Sequence, residues 1–233
     1  YQTTVKAKQL ATEKNFKVGY IHLRSMSGAK AENAFARGFF GDYDKQGMII
    51  DVRNNHGGNI DSWILDALQR KAWMYWESRN SDITNGGLGW DEQFAFRGKI
   101  VVLMNEHTAS DGEGFSRGMK TLNLGTLVGT RTWGGGIWLS SDNRLVDGGL
   151  GGSAPEVGTY NDEWGWGLGV ENMGVEPDVV VDNDPHAAYR GEDAQLEKGI
   201  EILKEMIESD TDGFSMPNDP GPKKNVQLPD GTC

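Results

Sequence analysis

The sequence contains a single cysteine, Cys233, which is the last of its 233 residues. An intrachain disulfide is therefore excluded, and the fold does not depend on an oxidising compartment. No apolar run approaches the ~20 residues of a membrane-spanning helix, and no signal peptide is visible. An excess of positive charge is also lacking. The 34 acidic and 23 basic residues give a formal net charge of −11, which argues against non-specific binding to nucleic acid or to anionic membranes.

These absences favour the cytoplasm. They leave the periplasm and secretion open, because the chain begins at Tyr1 without an initiator methionine and an upstream segment could have carried a signal. Hydrophobic residues make up only 37% of the chain, whereas glycine occurs 33 times. This composition predicts a loop-rich fold with a limited core and many tight turns.

Short apolar runs alternate with segments of helical periodicity along most of the chain. The predicted strands lie at 17–24, 47–52, 100–104, 125–129 and within 171–181. The predicted helices lie at 29–40, 61–76, 111–122 and 193–207. Repeated strand–helix units with buried strands predict an α/β domain with parallel strands. We divide the chain into a lead-in segment (1–16), a catalytic core (17–208) and a disordered C-terminal tail (209–233).

Neither a metal site nor a nucleotide site is indicated. The four histidines are widely separated, and none has a second His or Cys at helical ligand spacing. The run Gly134–Gly136 lacks the Lys and Ser/Thr of a phosphate-binding loop, and no GxGxxG motif opens a helix. We therefore predict a protein without metal or cofactor.

Ser110 stands at a predicted junction of strand, sharp turn and helix. Such a position exposes the hydroxyl group at the end of a strand, beside the free N–H groups of a helix N-terminus. This is the geometry that a nucleophile beside an oxyanion site needs. The alternative is that Ser110 or Asp111 is simply the N-cap of the helix.

The pair Gly57-Gly58 follows another buried strand of the predicted sheet. In a parallel sheet, the carboxyl ends of the strands form the usual ligand crevice. Backbone N–H groups of Gly58 and Asp111 could then converge on the oxyanion of a tetrahedral intermediate. An ordinary tight turn is the alternative.

Several motifs together resemble the S41 family of serine peptidases, and within it the tricorn core protease branch. They are DVRNNHGG (51–58), NEHTASDGEGFS (105–116), GTRTWGGG (129–136), VENMGVEPDVVVDNDPH (170–186) and GEDAQLEKGIE (191–201). The resemblance covers residues 17–207 and implies a ClpP/crotonase-like α/β core, a peptide or unfolded polypeptide substrate and a homo-oligomer. It further implies Ser110 as nucleophile, the amides of Gly58 (or Gly57) and Asp111 as oxyanion hole, and Glu171 as a catalytic carboxylate.

The sequence departs from the other S41 branch, the C-terminal processing peptidases, which use a Ser–Lys dyad. Gly135 stands where that branch has its lysine, so the resemblance favours the tricorn type. That type takes a histidine base from an upstream segment, which we expect to be missing here. His107 precedes Ser110 by three residues, but a general base is established by geometry, not by proximity in sequence. His56 beside the oxyanion turn and Trp133 are candidates for substrate contacts.

Two other functions stay open. A chain without its own base could be a non-catalytic module that binds peptides or supports assembly. A crotonase-like acyl-CoA enzyme would share the core topology, but the acidic composition offers no basic patch for the phosphates of coenzyme A. For the peptidase, the loop 77–91 is a weak candidate for the specificity pocket.

Overall fold

A computed structural model of the chain describes residues 2–77, 88–139, 145–148, 155–166 and 169–210. The helices are Gln2–Glu13 (α1), Gly28–Asp42 (α2), Asp61–Gln69 (α3), Asp111–Thr121 (α4), Pro185–Tyr189 (α5) and Ala194–Glu208 (α6). The strands are Val18–His22 (β1), Gly47–Asp51 (β2), Tyr75–Glu77 (β3), Leu88–Trp90 (β4), Lys99–Met104 (β5), Thr126–Gly129 (β6), Trp138–Leu139 (β7), Pro155–Val157 (β8), Tyr160–Asn161 (β9), Gly165–Trp166 (β10) and Val179–Val180 (β11).

Five parallel strands form the central sheet of the described residues, in the order β1-β2-β5-β6-β11. Helices connect most of its neighbouring strands, as parallel pairing requires. The prediction of an α/β core with parallel strands is therefore confirmed. In the register, Asp51 at the end of β2 lies opposite Leu103 of β5. The loops that follow these two strands consequently leave the sheet at the same edge.

Alternating side chains of the strands build a core on each face of the sheet. On one face, Ile50 and Val102 pack in a cluster with α2, α3 and α4, whose buried residues include Phe35 and Phe115. On the other face, Ile49 and Val101 join a cluster with α1 and α6. The sheet is thus a central layer between two layers of helices, and α4 is held firmly behind the loop that carries Ser110.

The predicted helix 61–76 is too long, because α3 ends at Gln69 and Arg70 has an extended conformation (φ −59°, ψ 136°). The residues at 75–77 instead form β3, which pairs with β4 in an antiparallel ribbon. Trp73, which we expected on the helix, is 70% exposed. The aromatic residues of this stretch suit a strand as well as a helix, and the pairing with β4 decides the matter.

The lead-in segment forms α1, whose Ala7 and Ala11 are buried in the same cluster as α6. Of the predicted tail, residues 211–233 lie outside the described residues, as do residues 78–87 of the predicted specificity loop. The division into domains stays a prediction. Within the described ranges, no helix is long and apolar enough to cross a membrane.

Candidate active site

The turn after β2 and the turn after β5 are joined by hydrogen bonds at the carboxyl edge of the sheet. The N–H of Ala109 donates to the carbonyl oxygen of Asn55 (2.8 Å). The hydroxyl of Thr108 donates to the carbonyl of Val52 (2.9 Å). These bonds place Ser110, which follows directly, against the glycine turn that the sequence singled out.

Ser110 has φ 55° and ψ −122°, which is rare for a residue with a side chain. It occupies the N-cap position of α4, so the capping interpretation is correct as to position. Its backbone nevertheless differs from the extended conformation of an ordinary N-cap. Its N–H donates to the carboxylate of Glu113 (3.0 Å), which supports the strained turn. The side chain is half-buried, between the core and solvent.

Gly57 lies directly against the Ser110 turn. A Cβ atom at Gly57 would lie 2.6 Å from Ser110 Cβ and 3.1 Å from the backbone nitrogen of Asp111, so only glycine fits. Its φ of 94° also favours glycine. The Gly57 N–H donates to Asn55 Oδ1 (2.8 Å) and is therefore engaged. Gly58 is exposed, and neither its N–H nor that of Asp111 has an acceptor within the described ranges.

The side chain of Asp111 does not cap its own helix but reaches the N-terminus of α3. Its Oδ2 accepts from the N–H groups of Ile60 (2.8 Å) and Asp61 (3.1 Å). Burial, followed by the charge and the hydrogen bond of Asp61, raises the pKa of Asp111 to about 7. A protonated carboxyl at Asp111 can donate to Asp61, so the two side chains form an acid pair directly behind the Ser110 turn.

This pair predicts a pH dependence of stability. Because the pKa of Asp111 is higher in the folded chain than its ordinary value of 3.8, its contribution to folding is fully present below about pH 4. The contribution falls as the pH rises towards 7, since the unfolded chain releases this proton first. An Asp111→Asn variant keeps an acceptor and a donor but cannot ionise. We expect its free energy of unfolding, relative to wild type, to increase between pH 5 and pH 8 in urea titrations.

Asp66→Asn is the control for this prediction, because Asp66 is exposed on α3 and pairs with Arg70 on the surface (3.3 Å). The free energy of unfolding of Asp66→Asn should stay within about 0.5 kcal/mol of the wild-type value at both pH values. The acid pair would be contradicted if Asp111→Asn and wild type differed in free energy of unfolding by the same amount at pH 5 and at pH 8.

Glu171 is held by the glycine-rich loop at 132–137. Its Oε2 accepts from the N–H groups of Gly136 (2.8 Å) and Ile137 (3.0 Å). Oε1 accepts no hydrogen bond from any described residue. A half-buried carboxylate with one fixed oxygen and one free oxygen can orient a basic group such as an imidazole.

Two buried polar residues of the site escaped prediction. Asn55 is fully buried, and it binds Gly57 N–H and donates to Leu23 O (2.7 Å). Glu113 is fully buried and binds both the Ser110 turn and the glycine-rich loop. The spacing Ser110-x-x-Glu113 is a capping-box pattern, and it could have revealed Glu113. No comparable signal marks Asn55.

No histidine is bonded to Ser110 as a general base would be. His22 Nε2 is 3.4 Å from the carbonyl oxygen of Arg53, and His107 Nε2 is 3.5 Å from the carboxylate of Glu106 on the surface. His56 and His186 are exposed. All four are described, and none forms a hydrogen bond with Ser110. Over the same described ranges, no three His, Cys, Asp or Glu side chains are grouped so that they could hold a metal ion.

The backbone N–H of Trp133 donates to Thr108 O (3.0 Å), and its side chain is 66% exposed, so the ring stands at the surface beside the site. Three other tryptophans of the C-terminal half differ from Trp133 in position. Trp138 lies over Gly114 of α4, Trp164 stacks with Arg117 (4.1 Å), and Trp166 is 72% exposed next to Tyr160. Trp133, Trp138 and Trp164 therefore contact the turn before Ser110 or the helix α4 after it, whereas Trp166 lies against Tyr160.

Comparisons with known proteins point to one family. The sequence profile of peptidase family S41 matches residues 17–181. The tricorn protease of Thermoplasma acidophilum is 37% identical over 209 residues, which are 89% of this chain and 19% of that protein. A carboxyl-terminal-processing protease of Synechocystis is 32% identical over 172 residues, or 71% of this chain and 38% of that protein.

Solved structures agree with the sequence comparison. The crystal structure of the tricorn protease matches with a TM-score of 0.76 and 34% identity, over 89% of this chain and 19% of that one. The structure of mature CPAF complexed with lactacystin matches with a TM-score of 0.63 over 84% of this chain and 53% of that one. At 18% identity, the second match shows a shared fold. The chain spans about one-fifth of the length of the tricorn proteases it matches.

Proposed function

Because the chain belongs to peptidase family S41, we propose that it carries the nucleophile and the oxyanion site of a serine peptidase that cleaves peptide bonds. The observation that carries this proposal is the backbone of Ser110. A strained turn between a strand and a helix, next to N–H groups that have no acceptor among the described residues, exposes a hydroxyl group in the manner of other serine hydrolases.

In the proposed reaction, Ser110 Oγ attacks the carbonyl carbon of the peptide bond and loses its proton to a general base. The N–H groups of Gly58 and Asp111 stabilise the oxyanion of the tetrahedral intermediate. We prefer Gly58 to Gly57 because the Gly57 N–H already donates to Asn55. The intermediate expels the amine, which takes the proton from the base, and leaves an acyl-enzyme. Water then attacks the acyl-enzyme with the help of the same base and releases the acid and Ser110.

We assign the general base to a histidine outside this chain, oriented by Glu171. Oε1 of Glu171 accepts no hydrogen bond in the part of the chain that the structure describes. This supports the role, because a carboxylate fixed by two amides can accept a hydrogen bond from an imidazole and stabilise its charged form. None of the four histidines of the chain forms a hydrogen bond with Ser110, which supports an external base. His56 and Trp133 are exposed beside the site, and we propose that they contact the peptide.

A fluorophosphonate probe, which reacts covalently with activated serines, tests this function. The probe is applied to this chain and to the longest natural polypeptide that contains it. We expect labelling that disappears in Ser110→Ala and persists in Ser209→Ala, which removes an exposed hydroxyl at the end of α6. Labelling of the longer polypeptide alone would support the external base.

The competing function is a peptide-binding or assembly module without catalysis, and it is favoured by the lack of a histidine hydrogen-bonded to Ser110. No labelling of Ser110 in either polypeptide would refute the peptidase and leave this module. Binding of unfolded polypeptide by the unlabelled chain would then identify it.

A further inference from the structure

Glu113 is a buried carboxylate that no cation neutralises within the described residues. It lies in the first turn of α4 and is fully buried. Its Oε2 accepts from the N–H groups of Ser110 (3.0 Å) and Gly135 (2.8 Å). Its Oε1 accepts from the Thr132 hydroxyl (2.6 Å) and the Gly134 N–H (2.7 Å). Four donors and the helix N-terminus thus replace the water that a charged group would otherwise need.

The glycine-rich loop presents four successive N–H groups to two carboxylates. Those of Gly134 and Gly135 bind Glu113, and those of Gly136 and Ile137 bind Glu171. The conformation of the loop requires glycine in at least two places. Gly134 has φ 106°, and a Cβ atom at Gly136 would lie 2.7 Å from the backbone nitrogen of Glu171.

Both carboxylates therefore share one short loop, and only Glu113 also holds the Ser110 turn. A shift of Glu113 would move the loop and, through it, the two amides that fix Glu171. Thr132 strengthens this connection, because its Oγ also accepts from the N–H of Val175 (2.7 Å), four residues after Glu171. The connection is built from charge-assisted hydrogen bonds in a buried environment, where such bonds are strongest.

We propose that Glu113 is a positioning residue, which locks the Ser110 turn to the loop that orients Glu171. The inference rests on the proposed function insofar as Ser110 and Glu171 act together on a peptide. Glu113 does not touch the reacting atoms in this scheme. It fixes the separation between the nucleophile and the carboxylate that orients its base, and small errors in such a separation slow catalysis strongly.

Glu113→Gln is the most informative variant, because glutamine has nearly the same size but places an NH₂ group against one of the two pairs of donors. Amide hydrogen exchange in peptides covering 132–137 should then rise about tenfold or more. The rate of fluorophosphonate labelling at Ser110 should fall roughly 10²-fold, as expected for a displacement of about 1 Å. Both are measured on the intact chain and on the longer polypeptide that contains it.

Ser116→Ala is the matched control. The Ser116 side chain is equally buried on α4, but its hydroxyl donates only to Gly112 O within the helix (2.8 Å). It should lower the urea midpoint without changing loop exchange or labelling. Equal effects in both variants would mean general loosening of α4 and would overturn the proposal, as would wild-type exchange of the loop in Glu113→Gln.

A second pair keeps the test decisive should Glu113→Gln fail to fold. Thr132→Val removes the hydroxyl that bridges Glu113 and Val175, whereas Thr132→Ser retains it. We expect faster loop exchange in the valine variant and recovery in the serine variant, and equal exchange in both would refute the coupling. A wild-type protein that is not labelled at Ser110 would refute the proposed peptidase, while the exchange data would still decide whether Glu113 couples the two segments.

Discussion

A Gly58→Ala variant is expected to be labelled at Ser110 about 10²–10³-fold more slowly than wild type, the usual cost of losing one oxyanion donor. Alanine retains the backbone N–H group at position 58, so the slower labelling would come from displacement of this group. A Cβ atom at Gly58 would overlap the carbonyl group of Met26, which is backbone and cannot rotate away. That carbonyl also accepts from Asn59 N–H (2.9 Å), and Met26 N–H donates to Gly57 O (2.9 Å). The methyl group must therefore displace the glycine turn from its position relative to Ser110.

The rate constant for labelling under pseudo-first-order conditions measures this effect, with unfolding in urea as a check on folding. Gly41→Ala is the matched control, because a Cβ atom at Gly41 meets no atom within 4 Å and alanine favours the α2 helix. Its labelling rate should equal that of wild type. A folded Gly58→Ala variant that is labelled at the wild-type rate would show that the Gly58 amide is not an oxyanion donor.

The central sheet was predictable from sequence because its strands are buried on both faces. The runs GMIID and KIVVLM lie in β2 and β5, and their side chains are buried almost throughout. The long amphipathic helix α6 was predictable because its apolar positions recur at three and four residues, and they pack on the sheet as expected. In both cases a local pattern and the tertiary environment favour the same structure.

Prediction failed where a distant partner decides the structure. The helix predicted over 61–76 ends at Gln69, since Tyr75 and Trp76 pair with Trp90 and Gly89 on another segment. A sequence window cannot show this pairing, because local periodicity carries no information about contacts with another segment.

The site was predictable in outline only. Parallel strands bring their carboxyl ends together, so the proximity of the Gly57 and Ser110 turns follows from the fold class. Asn55 and Asp61 were missed because their roles depend on the backbone after the strand ends. Asn55 accepts a hydrogen bond from the N–H of Gly57. Asp61, at the N-terminus of α3, interacts with Asp111, at the N-terminus of α4. Neither arrangement follows from spacing in the sequence.

The buried cluster around Arg53 was equally invisible in the sequence, because Tyr20 and Asp193 are distant along the chain from Asp51 and Arg53. Arg53 binds Asp51 with Nε (2.9 Å) and Nη2 (2.6 Å), and Asp193 with Nη1 (2.8 Å) and Nη2 (3.0 Å). The Tyr20 hydroxyl also donates to Asp51 (2.6 Å), which is fully buried. The cluster joins the end of β2, just before the glycine turn, to the N-terminus of α6.

Replacing Arg53 by methionine is expected to destabilise the fold by about 3–5 kcal/mol, the cost of leaving a buried charge without its partner. Methionine fills much of the same space, so the loss is electrostatic rather than a cavity. Urea unfolding at pH 7 measures it. Lys198→Ala, which breaks the surface pair Lys198–Glu201 (3.1 Å), is the control and should change stability by less than about 1 kcal/mol.

The double variant Asp51→Asn/Arg53→Met separates the buried charge from the packing. Because this variant removes the carboxylate of Asp51 together with its partner, it should recover much of the stability that Arg53→Met loses.

The pH dependence of stability gives a second criterion. Burial alone would raise the pKa of Asp193, but the hydrogen bond and charge of Arg53 lower it. The interaction therefore stabilises the fold at pH values above the ordinary pKa of about 4. This stabilisation is lost as the pH falls through the lowered pKa of Asp193 in the folded chain. Arg53→Met should therefore lose less of its stability on acidification than wild type does. Equal acid sensitivity and no recovery in the double variant would show that Arg53 acts through packing of its aliphatic stem, not through its charge.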